Sequence, residues 1–144
     1  MALASPQLIW ECVKSNNSFI RKSIKATGMP VFSAEKGNMC GLSSYKYTGI
    51  ANEKVLGISA QTTGKKETIV MTTRNKKASR IQRPKVSLCD TGLNKASKKG
   101  LAQIAKATGF YRKDLADLAV AKYQKIKTSL RKKTIKVKSR RASK

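Results

Sequence analysis

The side chains able to do chemistry in this sequence are overwhelmingly cations. Arg74, Lys76, Lys77, Arg80, Arg83 and Lys85 fall within twelve residues that contain no acid. Lys95, Lys98 and Lys99 follow a Thr-Gly turn. The last fourteen residues hold eight more cations, Arg131, Lys132, Lys133, Arg140 and Arg141 among them, again with no acid. Lysine and arginine at this density displace counterions from a polyanion, and arginine grips phosphate oxygens in a fork. A block of like charge repels itself, so each is expected to lack structure until a polyanion organises it.

Two further groups lie upstream. Lys14-Ser15-Asn16-Asn17-Ser18 sets one cation and four small polar residues where a helix meets a strand. Such a junction suits phosphate and 2′-hydroxyl groups, or simply a well-satisfied turn. Tyr45-Lys46-Tyr47 interleaves a cation with aromatics, either for an RNA-facing strand or as ordinary sheet packing. Trp10 has the best ring for stacking, but in so small a core it reads first as a packing residue. Candidate RNA contacts are therefore Lys14, Asn16, Asn17, Arg21, Lys22, Lys46 and Lys54, the cations of 74–85, Arg112, and Arg131, Lys132, Lys133, Arg140 and Arg141 of the tail.

Other chemistries are poorly supplied. The chain has no histidine and 7 acids against 32 lysines and arginines, for a formal charge of +25 over 144 residues. That leaves little for acid–base catalysis, a two-carboxylate metal site or a nucleophile–base pair. No Walker A, Gly-x-Gly-x-x-Gly or Gly-x-Ser-x-Gly pattern occurs. Cys12, Cys40 and Cys89 are odd in number and widely spaced, so neither zinc nor a disulfide framework is implied. They read as reduced thiols of a cytosolic or nuclear protein. No enzyme activity, cofactor, metal or small-molecule substrate is expected. Purely apolar stretches such as Leu118-Ala119-Val120-Ala121 are far shorter than a membrane span, and Met1–Pro6 lacks a signal-peptide pattern.

The charge divides the chain. Residues 1–60 carry 7 cations and 3 acids, and residues 61–144 carry 25 and 4. Leu, Ile, Val and Phe make up 30 of the 144 residues, just above the fraction at which charged chains stop folding. Part of the chain should fold and part should not. Ser5-Pro6 starts a helix to about Ser15, stopped by Asn16-Asn17. Strands are expected at Ser18–Ile24, Val31-Phe32, Ser43–Thr48, Val55–Ala60 and Glu67–Thr73. The last two form a hairpin around Thr63-Gly64-Lys65.

A helix capped by Ser97 and ended by Gly109 follows. Another spans Arg112–Leu130, with Leu115, Leu118, Tyr123 and Ile126 on one stripe. Lys122 interrupts that stripe and is expected to snorkel to solvent or to a phosphate. The fold class is α+β: a small antiparallel sheet packed with the N-terminal helix, then a basic helical extension and a C-terminal tail disordered when free. In residues, 1–73 is the globular domain, 74–96 a basic linker contacting RNA, 97–130 the helical extension and 131–144 the tail.

Four ordered blocks carry a resemblance. They are Leu8-Ile9-Trp10-Glu11-Cys12-Val13-Lys14-Ser15-Asn16-Asn17-Ser18-Phe19, Phe32-Ser33-Ala34-Glu35 with Asn38, Ser43 through Val55, and Tyr111-Arg112-Lys113-Asp114-Leu115. Together they resemble the eukaryotic large-subunit ribosomal protein L twenty-eight family (e-type). Lys113 stands where that family often has proline, and the middle, 61–110, matches only in charge and rhythm.

The resemblance implies a structural constituent of the cytosolic 60S subunit that binds ribosomal RNA, including expansion segments, and contributes to translation. It implies neighbouring ribosomal proteins as partners, a route through the nucleolus, and no catalysis. A related family of nucleolar ribosome-assembly factors shares the opening but carries extra cysteines and an acidic C-terminal region. Here Cys40 stands alone and the C-terminus is basic. A basic chromatin or DNA-binding protein is the other alternative, although its globule would be all-helical.

Overall fold

A helix begins where the sequence asks for one. Ser5 is the N-cap, its Oγ accepting the Leu8 amide at 3.3 Å, and Pro6 opens α1, Pro6–Val13. The computed structural model describes residues 4–21 and 28–131. Beyond α1, β1 (Ile20–Arg21) pairs antiparallel with β2 (Phe32–Ser33), Ile20 opposite Ser33. The rest of the expected strand, 22–24, lies outside the described residues.

The main sheet has three antiparallel strands. β3 (Leu56–Thr63) and β4 (Lys66–Arg74) make the expected hairpin, Ile58 opposite Met71. Its two-residue loop is Gly64-Lys65, with Gly64 at φ +61°, the arrangement a type II′ turn asks of its first position. β5 (Leu88–Leu93) adds to the far edge of β4, Ile69 opposite Leu93. This stretch falls inside the segment 74–96 expected as a basic linker. As an edge strand it buries only Leu93, and Cys89 to Gly92 are exposed, so it writes no alternation into the sequence.

Two helices cover one face of this sheet. They are α3 (Ser97–Tyr111) and α4 (Ala116–Ser129), joined by a 3-10 turn at Lys113–Leu115; a short helix, α2 (Ala78–Ile81), lies in the loop between β4 and β5. Leu56, Ile58, Ile69, Met71 and Leu93 of the sheet meet Ile104, Leu115, Ala119 and Tyr123 of the helices, with Met39 at the margin. Burial scales with the apolar area a helix offers, and here α1 loses. None of its residues is buried and Leu8 is 58% exposed. Trp10 is half-buried beside Tyr45, ring centres 6.3 Å apart, and lies outside the core. The expectation that the first helix packs the sheet, with Trp10 in its core, is corrected. Segment 97–130, set apart by its charge, supplies the cover instead.

Two other expectations change. Ser43–Thr48 is a series of turns, because side chains capture its backbone. Glu35, 8% exposed, accepts the Gly49 amide at 2.6 Å and the Thr48 hydroxyl at 3.2 Å. Asn52 donates to the Tyr45 and Thr48 carbonyls. A buried carboxylate needs such donors, and this loop is built to provide them. Helix α3 also runs past Gly109 to Tyr111, and Ser97 is its first residue rather than its cap. The Tyr111 hydroxyl accepts the Val55 amide at 3.0 Å, so a contact far along the chain holds the last turn.

Candidate nucleic-acid interface

The acid-free cluster is an ordered loop, which corrects the expectation that it lacks structure of its own. The Asn75 amide donates to the Ser87 carbonyl at 2.8 Å and closes the neck where β4 and β5 part. Inside, α2 is followed by turns in which the Arg83 amide bonds the Arg80 carbonyl and the Val86 amide bonds the Arg83 carbonyl. Ser87 Oγ donates to the Pro84 carbonyl at 3.0 Å. Backbone polar groups are thus met locally, as in other compact surface loops with close ends. Lys76, Lys77, Arg80, Arg83 and Lys85 are all exposed on it. None of them belongs to the three ion pairs among the described residues.

Arg74 parts from this group. It is half-buried, its Nη1 donates to the Asn52 carbonyl at 2.5 Å, and its Nε is buried without a partner among the described residues. It ties the end of β4 to the 44–52 loop.

Arg112 is a second inward arginine. Its Nε and Nη2 form a fork on Asp114, at 2.9 and 2.7 Å. Nη1 reaches the Lys54 carbonyl and Nη2 the Lys46 carbonyl, both at 3.0 Å. The side chain is only 14% exposed. The hydrogen-bonded Asp114 raises the Arg112 pKa above its ordinary value, and the same fork holds the Asp114 carboxyl below the usual carboxylate range. What Arg112 presents outward is therefore indirect. It fixes the backbones of Lys46 and Lys54, whose side chains are exposed, with Lys46 Nζ 5.8 Å from the Tyr47 ring centre.

The junction after α1 is also largely self-satisfied. Asn17 Nδ2 donates to the Val13 carbonyl at 3.0 Å and its Oδ1 accepts the Phe19 amide at 2.9 Å, which terminates the helix. Lys14 pairs with Glu11 at 2.5 Å. Asn16, Arg21 and Arg131 are exposed, the last just beyond the end of α4. Lys22, Lys132, Lys133, Arg140 and Arg141 lie outside the described residues.

Two lysines serve the fold. Lys122 Nζ donates to the Met39 and Asn38 carbonyls at 2.8 and 3.2 Å, and burial pushes its pKa below the ordinary lysine value. The expectation that it snorkels to solvent or a phosphate is corrected, since two backbone acceptors sit within reach. Lys36 pairs with Asp90 at 2.6 Å across the second face of the sheet. Burial alone would raise the Asp90 pKa. Hydrogen bonds from Lys36, Thr72 and Gln61 outweigh it and hold the carboxyl low.

Sequence reasoning passed over Phe110, which is 95% exposed in the last turn of α3. The available signal was its position on the opposite side of the helix from Leu101. Cys12, Cys40 and Cys89 are exposed free thiols. Among the described residues no cluster of histidine, cysteine and carboxylate side chains is fit for a metal ion. No described helix is long and apolar enough to cross a membrane.

Known proteins share this sequence pattern. The model of the Ribosomal L28e protein family matches residues 8–129. The large ribosomal subunit protein eL28 of Schizosaccharomyces pombe is 32% identical over 135 residues, 91% of this chain and 97% of that one. Its counterpart in Caenorhabditis elegans is 31% identical over 106 residues, 74% and 76% of the two chains. That of Dictyostelium discoideum is 36% identical over 56 residues, 39% of each. These are ribosomal proteins, structural constituents rather than enzymes. The chain belongs to the ribosomal L28e protein family.

Proposed function

We propose that the chain is a structural constituent of the cytosolic large ribosomal subunit, held there by ribosomal RNA, including expansion-segment helices. The observation that carries the reading is the 75–87 loop: five exposed cations, no acid, and a hydrogen-bonded backbone frame that presents them together. Preformed cations neutralise phosphates without first losing loop entropy. A-form helices are read through backbone and 2′-hydroxyls, which needs shape and charge more than base-specific side chains. Its relatives are named as large-subunit proteins, which agrees with this reading. Neighbouring ribosomal proteins would complete the contacts, with assembly passing through the nucleolus. The role in translation is architectural.

Sedimentation through a high-salt sucrose gradient tests the proposal. The chain should travel with large subunits at one copy each. Recovery only from pre-ribosomal particles would mark an assembly factor, recovery with chromatin a DNA-binding protein, and catalytic trace amounts an enzyme. Each of those results contradicts the reading.

A further inference from the structure

A phenylalanine ring standing almost wholly in water has no folding reason for its place. Phe110 is such a ring, and it lines a surface groove together with Lys54, Thr73, Arg74, Lys76, Ala107 and Tyr111. Lys106, one turn before Phe110 on α3, falls on the same side of the helix. Lys54, Lys76 and Lys106 are exposed and belong to none of the ion pairs among the described residues, and no acid lines the groove. Lys76 is also the first cation of the 75–87 loop, so the groove continues the proposed RNA-facing surface.

We propose that Phe110 is the stacking platform for one unpaired base of RNA, whose flanking phosphates lie against Lys54 and Lys76. This rests on the RNA-binding reading above and adds the form of RNA that the site takes. An aromatic face accepts any base, and cations beside it track the backbone, the combination by which proteins hold single strands. A duplex offers no free base face, so the site calls for a bulge, loop or strand end. A protein neighbour is less well matched. The apolar part of the lining is only Ala107, Phe110 and Tyr111, small beside the contiguous patch that protein docking uses, and Lys54 and Lys76 share the groove with it.

The test uses the full chain and two probes, a short uridine oligoribonucleotide and an RNA duplex of equal charge, with affinity read by fluorescence anisotropy. Phe110→Ala and Phe110→Leu should each weaken single-strand binding about 5- to 150-fold and leave duplex binding unchanged. Phe110→Trp should match or exceed the original. The leucine variant keeps apolar bulk without a π-face, so single-strand binding equal to wild type would overturn the proposal. Loss of both probes alike, or unchanged RNA binding with loss of the variant from large subunits, would overturn it too. The second of those results would assign Phe110 to a protein neighbour. If the wild-type chain bound neither probe in a salt-dependent way, the RNA reading itself would fail.

Discussion

Replacing Lys76, Lys77, Arg80, Arg83 and Lys85 together with glutamine is expected to lower affinity for ribosomal RNA fragments on the order of a thousandfold near physiological salt. Each phosphate contact contributes about 0.7–0.9 to the slope of log affinity against log salt, so five contacts amount to a slope change of about 4. All five side chains are exposed and outside the ion pairs of the described fold, so the melting temperature should stay within about 2 °C. Binding titrations from low to high salt read both numbers. An unchanged slope would remove the loop from the interface. The same substitution at Arg74 or Arg112 should act differently. Their guanidinium groups are spent on Asn52, Asp114, Lys46 and Lys54, so the loss appears first in stability.

The largest effect on the fold is expected at Gly100, and the comparison is with Gly109 in the same helix. A Cβ at Gly100 would collide with the Tyr123 hydroxyl and lie 2.5 Å from the Asn94 carbonyl oxygen. Tyr123 is fully buried and donates to that same carbonyl at 2.6 Å. Burial raises the pKa of its hydroxyl, which keeps it a donor. Gly100→Ala therefore overpacks the contact between α3 and α4 and breaks a buried hydrogen bond. The cost is about 2–4 kcal/mol, even though alanine gains about 1 kcal/mol in helix propensity. The melting temperature should fall by about 10 °C. At Gly109 a Cβ meets nothing within 4 Å, so Gly109→Ala should stabilise by up to about 1 kcal/mol. Thermal melting of the pair decides the matter. Equal signs would mean that Tyr123 does not sit against Gly100.

These two cases also show what the sequence could tell. The β3–β4 hairpin was legible because Gly-Lys between alternating strands has a local cause, and α1 because its cap and proline lie within one turn. The acid-free cluster was legible as charge. The inward turn of Arg74 and Arg112 was not. Their acceptors are carbonyls 22, 58 and 66 residues away, and a carbonyl has no sequence signature. β5 hid because its exposed residues carry no pattern, and Ser43–Thr48 misled because alternating tyrosines imitate a strand while Glu35 and Asn52 hold the backbone in turns. Which helix covers the sheet is a competition for area. It becomes visible only when Ile104, Leu115, Ala119 and Tyr123 are seen on one surface.

Lysine acylation compared between the free chain and intact large subunits asks the central question most directly. If the 75–87 loop faces ribosomal RNA, Lys76, Lys77 and Lys85 react freely in the isolated chain, are shielded in the subunit, and become reactive again after ribonuclease treatment. Equal reactivity in both states, or shielding that survives ribonuclease, would contradict the account.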